Sequence, residues 1–202
     1  MARTPVLLAS NNAHKLAEFR DLLADTPVIL ETPQDHQIVV DVEENGSTFE
    51  ENARLKAHEF AVRGKMIALA DDSGLEIPSL GNWPGVQSSR WAGPNADDAL
   101  KRQLLLERLA EHTGRDRKAR FVCVITVARP DGIVGEARGT LEGEITTTSR
   151  GTGGFGYDPI FKPTGYDRTL AEMSPAEKNR LSHRARAIAQ IKPLLRALRG
   201  RG

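Results

Sequence analysis

The chain has 202 residues, 39% of them apolar and 27% charged, with a net charge of +1. That length supports a large buried core in one domain or two packed lobes, and the near-neutral balance excludes binding to nucleic acid or membrane through bulk charge. With Cys123 the single cysteine, no internal disulfide can form, and its apolar surroundings "RFVCVITVA" predict a buried, inert thiol.

The N-terminal apolar run is too short for a signal peptide, and no segment reaches transmembrane length, so a cytoplasmic protein is expected. Val6–Ala9 reads as a short buried strand. A helix is predicted from about His14 to Ala24, with Leu16, Phe19, Leu22 and Leu23 on one face. Between them lies Ser10-Asn11-Asn12-Ala13-His14-Lys15. A strand-to-helix turn can bind phosphate through free N–H groups, yet this one has no glycine, so a capped helix and a phosphate site are both open readings.

Alternating Ile38, Val40 and Val42 predict a strand ending at the acidic pair Glu43 and Glu44. The next helix opens with a capping box of Ser47 and Glu50 and closes at Gly64. Its apolar stripe holds Phe49, Ala53, Ala57, Phe60 and Ala61. Lys56 lies seven residues after Phe49, hence on that stripe at ~3.6 residues per turn, with Asn52 one turn before it. A lysine there either snorkels to the edge or faces an anion.

The segment "KMIALADDSG" predicts an apolar strand ending in Asp71 and Asp72. Two carboxylates at the exit of a buried strand need a compensating charge, and a divalent cation would supply it. Glu43 and Glu44, at another predicted strand end, could meet the same ion. A further helix is expected from a cap at Asn95 to a stop near Gly114. Two or three strands follow, with a turn at Pro130–Gly132.

The loop "GTGGFGYDP" brings glycines around Phe155, Gly156, Tyr157 and Asp158, where Phe155 could stack on a flat ring. The last predicted helix has Ser174 as cap and Pro175 in its first turn. Lys178 and His183 on it are ~140° apart on a straight helix, so either the helix is interrupted or the two grip different parts of one ligand. The whole pattern implies an α/β fold with a mixed sheet covered by helices. The parts list of carboxylates, lysines, a glycine loop with an aromatic and a terminal basic cluster suits a nucleoside phosphate.

Five segments in order, "SNNAHK", "FEENARLKA", "ADDSGL", "GTGGFGYDPIF" and "EMSPAEKNRLSHRARA", together resemble the inosine triphosphate pyrophosphatase family, from near Val6 to about Ala189. The resemblance implies hydrolysis of non-standard purine nucleoside triphosphates (ITP, dITP and XTP) to the monophosphate and pyrophosphate. It implies one domain spanning residues 1–202, with an elongated mixed β-sheet flanked by helices, in two lobes around a central cleft. It also implies Mg²⁺ as cofactor and a homodimer, with neither nucleic-acid nor membrane partners.

Residue by residue, the resemblance places the phosphate-binding loop on Ser10 to Lys15, where Asn11 replaces the usual glycine and would need to tolerate a left-handed backbone. The metal-binding acid falls on Glu44. Asp72 matches the catalytic aspartate, with Ser73 beside it at the substrate; apart from the match, the mechanism expected from these residues has Glu44 and Asp72 hold Mg²⁺, Lys15 and Lys56 add positive charge, and Asp71 assist Asp72 at the attacking water. The base side falls on Phe155, Gly156, Tyr157 and Asp158, together with Lys178, His183 and Arg184.

Overall fold

The computed structural model describes residues 3–40, 42–111 and 116–198. The helix stop expected near Gly114 lies outside these residues. Strand β1 (Thr4–Leu8) leads into helix α1 (Ala13–Leu22), and β2 (Val28–Glu31) follows. Next come α2 (Phe49–Gly64), β3 (Ala68–Ile77), the two-residue β4 (Trp83–Pro84) and α3 (Asp98–Ala110). The chain finishes with β5 (Lys118–Arg129), β6 (Gly132–Ile145), β7 (Phe161–Pro163), α4 (Pro175–Leu181) and α5 (His183–Ala197).

The sheet order is β2-β1-β3-β5-β6-β7, with β4 also paired to β3. β1 pairs parallel with β2 and β3, while β3–β4 and β6–β7 are antiparallel, which makes the sheet mixed. The expected α/β class therefore holds.

The chain divides into two compact units, and β3, β5 and β6 each run from one into the other. The first comprises residues 1–72, 123–139 and 184–202. Its sheet residues alternate between two apolar layers, as period-2 side chains must. Val6, Leu8, Leu69, Cys123, Ile125 and Val127 pack with Phe19 of α1 and with Ile188 and Ile191 of α5. Leu7, Ala9, Ala68, Ala70 and Ala128 pack with Ala57, Phe60 and Ala61 of α2. The second unit, residues 73–122 and 140–183, has its own core around Leu75, Ile77, Leu105, Phe121, Ile145, Ile160 and Phe161. Cys123 is fully buried, and burial pushes its thiol up to about 12, as an inert residue requires.

Several expected elements need correction. Among the described residues of the segment 38–42, Ile38, Val39, Val40 and Val42, none is in a strand. Ile38, Val40 and Val42 do turn toward the α2 layer while Val39 is 96% exposed, so the alternation marks burial without a ladder partner. β2, upstream of that segment, and the short β4 and β7 are strands that the sequence pattern does not predict. The α2 cap is Thr48 with Glu51, one residue later than expected: "STFEE" satisfies the box in both registers. α3 is capped by Asp97, not Asn95. The last helix is interrupted at Ser182, whose ψ of 155° is extended, so α4 and α5 are separate. β3 does not stop at its aspartates but continues to Ile77.

Candidate active site

Because β3 runs on through Asp71 and Asp72, adjacent carboxylates point to opposite faces of the sheet. Asp71 follows Leu69 onto the α1/α5 face, and Asp72 follows Ala70 onto the α2 face. This split builds the site.

Asp71 is 1% exposed, and its Oδ2 lies 3.0 Å from Lys15 Nζ of α1 and 3.0 Å from a guanidinium nitrogen of Arg184 at the start of α5. Arg184, itself fully buried, also pairs with Glu18. Burial alone would raise the Asp71 carboxyl, but Lys15, Arg184 and Lys56 overcome it and hold the group far below the usual carboxylate range. Burial likewise opposes the Arg184 charge, and Asp71 and Glu18 outweigh it and raise its proton affinity.

On the other face Lys56 reaches inward along α2, 8% exposed. Its Nζ donates to Glu44 Oε1 at 2.7 Å, to the Asp71 carbonyl at 2.8 Å and to Asp72 Oδ1 at 3.2 Å. Burial disfavours its charge, but Asp72, Asp71 and Glu44 more than compensate, so its proton affinity rises. Asn52, one turn earlier and fully buried, donates to Asp72 Oδ2 at 3.1 Å and accepts the Gly46 N–H at 2.8 Å. Asp72 goes the opposite way from its neighbour. Burial, with repulsion from Glu44, raises its pKa against the pull of Lys56, so it holds a proton more readily than an ordinary aspartate.

The loop before α1 is a cap. Asn12 Oδ1 accepts the His14 and Lys15 N–H groups at 2.9 and 3.1 Å, and Ser10 Oγ accepts the Asn12 N–H at 3.2 Å. Asn11 accepts from Gln34 Nε2 at 2.9 Å. Asn11 is not left-handed: among the described non-glycine residues only Gln37, Lys65 and Asn82 have positive φ. Asn11, Asn12, Ala13 and His14 are exposed, and Ser10 is half-buried.

The second unit holds the other expected residues. Asp158, 3% exposed, accepts the Phe155 N–H at 2.9 Å and Lys178 Nζ at 2.6 Å through the same oxygen. Lys178 Nζ also lies 4.6 Å from the Phe155 ring centroid. The Tyr157 hydroxyl accepts from Trp91 Nε1 at 2.6 Å and donates to the Ser88 carbonyl at 2.7 Å; burial pushes its pKa up to about 12, so it stays protonated. The His183 ring stacks on Phe121, 4.7 Å between centroids. Ser73 is half-buried in β3.

Arg184 is the residue whose place differs most from expectation. Grouped in the sequence with Lys178 and His183, it belongs to the first unit's ionic cluster, because the chain breaks at Ser182 before α5 begins. Sequence reasoning missed Asn52 and Glu18 as partners in the cluster. Asn52 was legible, since it shares the stripe of Lys56; Glu18, on a polar face, carried no signal.

The donor set suits a hard divalent cation. Glu44 and Asp72 already converge on one cationic centre, the Lys56 ammonium, and both are oxygen ligands. Among the described residues no three His, Cys, Asp or Glu side chains cluster tightly enough to hold a metal unaided.

The fold is a mixed sheet with helices, and its first unit holds a buried lysine–carboxylate cluster. Comparison with known proteins gives the family. A model of the Ham1 family matches residues 6–194, and the chain belongs to that family. A protein of Coxiella burnetii named dITP/XTP pyrophosphatase is 46% identical over 194 residues, covering 94% of this chain and 96% of its own. One of the same name from Exiguobacterium sibiricum is 42% identical over 195 residues, covering 96% and 98%. The solved structure of a HAM1 protein from Coxiella burnetii superimposes with a TM-score of 0.87 at 45% identity, covering 95% of this chain and 98% of that one.

Proposed function

We propose that the protein hydrolyses non-standard purine nucleoside triphosphates, ITP, dITP and XTP, to the monophosphate and pyrophosphate. The observation that carries the reading is the convergence of Glu44 and Asp72 on Lys56, with Asp72 raised in proton affinity, in a Ham1-family chain whose relatives are named dITP/XTP pyrophosphatase.

Asp72 accepts the proton of the attacking water as the water oxygen bonds to phosphorus. The α–β anhydride bond breaks, and pyrophosphate leaves with its electron pair. Lys15 and Lys56 face the phosphate charge. Glu44 and Asp72 would hold Mg²⁺, which when bound offsets the negative charge developing on phosphate oxygens. Asp71 and Arg184 are buried together and serve by holding Lys15 in place.

On the base side, Phe155 offers its ring to the purine, and Lys178 and Asp158 lie beside it in contact or sequence, while His183 stacks on Phe121. Hypoxanthine and xanthine present an acceptor at position 6, where adenine presents a donor. A fixed donor from Lys178, His183 or a backbone N–H would leave adenine's amino group unpaired, at about 1–3 kcal/mol for a buried group. Ser10 to Lys15 serve the phosphates through the Lys15 charge and the exposed polar side chains, since the helix N–H groups at His14 and Lys15 are already capped by Asn12.

The active form is proposed to be a cytoplasmic homodimer. Val39, Leu55, Val62 and Ile133 are each more than 40% exposed, and a groove of ≈ 920 Å³ lined by Val39, Leu55, His58 and Ile133 among others runs beside α2. Among the described residues no helix is long and apolar enough to cross a membrane. Release of pyrophosphate rather than orthophosphate from ITP, with IMP as the nucleotide product, tests the proposed chemistry; IDP and orthophosphate would refute it.

A further inference from the structure

The loop bearing Phe155 is gripped by a helix to which the proposed chemistry assigns no part. Asp98 opens α3 and Arg102 follows four residues later, so the two share one face. Asp98 Oδ2 accepts the Gly156 N–H at 2.7 Å, and an Arg102 guanidinium nitrogen donates to the Gly156 carbonyl at 2.8 Å.

These two groups belong to successive peptide planes, one on each side of the Gly156 Cα. Gly156 has φ of +59°, and a Cβ there would meet nothing within 4 Å. The glycine therefore answers a backbone requirement, not crowding. Any rotation at Gly156 that swings Phe155 must break at least one charge-assisted hydrogen bond. Downstream, Tyr157 is tied to Trp91 and Ser88, so motion would pass upstream to Phe155 and to the Asp158–Lys178 pair it covers.

We propose that Asp98 and Arg102 are positioning residues for purine selection, clamping both peptide planes of Gly156 so that Phe155 keeps its place over Lys178. The proposal rests on the nucleotide reading above. A plain structural staple would weaken the fold and slow every substrate alike. A positioning clamp acts on the base that Phe155 and Lys178 meet, so it changes KM and the choice between bases.

The test measures kcat and KM for ITP and for ATP, with melting temperatures, in Asp98→Ala, Arg102→Met, Asp98→Asn and Arg102→Lys. Asp98→Ala removes the acceptor and Arg102→Met the donor; each should raise KM for ITP about tenfold with kcat nearly unchanged, and narrow the ITP:ATP ratio of kcat/KM. Asp98→Asn and Arg102→Lys keep an acceptor and a donor, and should recover most of that ratio. A wild-type protein that prefers ITP, with Asp98→Ala and Arg102→Met preserving the preference or losing both substrates in parallel, would overturn the clamp and leave the proposed function standing. A wild-type protein with no preference for ITP would overturn both.

Discussion

Asp71 and Asp72 are neighbours with the same side chain, and the strand between them sends them to opposite fates. Asp71 is a fully buried counter-ion whose carboxyl is held far below its usual range by Lys15 and Arg184 against the cost of burial. Asp72 is raised by burial and Glu44. Asp71→Asn leaves Arg184 and Lys15 with one carboxylate fewer in a buried site, and should cost ~3–5 kcal/mol of stability. Because the folded pKa of Asp71 is depressed, its contribution is present above the ordinary carboxylate pKa and fades as pH falls below it. The stability gap between wild type and Asp71→Asn, read by denaturant titration, should therefore be full at pH 7 and shrink from about pH 5 downward. Asp72→Asn should do the reverse: stability at pH 7 unchanged or higher, and kcat/KM down by ~10²-fold or more through loss of the general base. Equal stability losses in the two variants would contradict the assignment. The pair itself was legible in the sequence. Its division was not, because charge usually ends an apolar strand, and only partners from α1, α2 and α5 make it tolerable inside one.

Among the elements, α2 does most to shape the site. The stripe leaves Lys56 either snorkelling to the edge or facing an anion, and the structure takes the second reading, with its ammonium between Glu44 and Asp72. Lys56→Met keeps the stem and removes the charge. It leaves Glu44 and Asp72 in mutual repulsion, so kcat/KM for ITP should fall more than tenfold, by more than ~1.4 kcal/mol of transition-state stabilisation. Measured well below the melting temperature, unchanged kinetics would reduce Lys56 to a packing residue. The period of α2 and α1 was readable because one face of each is buried against a sheet layer. Boundaries were less so: two overlapping capping boxes differ by one residue, and the structure closes the one from Thr48 to Glu51. The α4–α5 break was one of two readings left open by the angle between Lys178 and His183. The structure takes that reading, and with it Arg184 passes to a different cluster from its sequence neighbours.

For the molecule as a whole, each of the two units has its own apolar core, with the ionic cluster of Lys15, Lys56, Asp71, Asp72 and Arg184 in the first and the Phe155–Lys178–Asp158 group in the second. The order of five short segments carried the family, and the Ham1 match over residues 6–194 agrees. Pairing across the sheet was the part least visible in the chain, since β2, β4 and β7 are two to four residues long and carry no periodicity of their own. The homodimer proposed from exposed Val39, Leu55, Val62 and Ile133 has a direct check. Light scattering at micromolar concentration should return twice the 22.1 kDa chain mass, and a fully active monomer would contradict the dimer.

The account turns on base selection by a triphosphate hydrolase. Its most direct test is kcat/KM for ITP, XTP, dITP, GTP and ATP with Mg²⁺, following pyrophosphate release. ITP, dITP and XTP should each exceed ATP and GTP, with ATP slower by roughly 5- to 150-fold, the range that an unpaired buried group of about 1–3 kcal/mol supports. Comparable values for ITP and ATP would contradict the account.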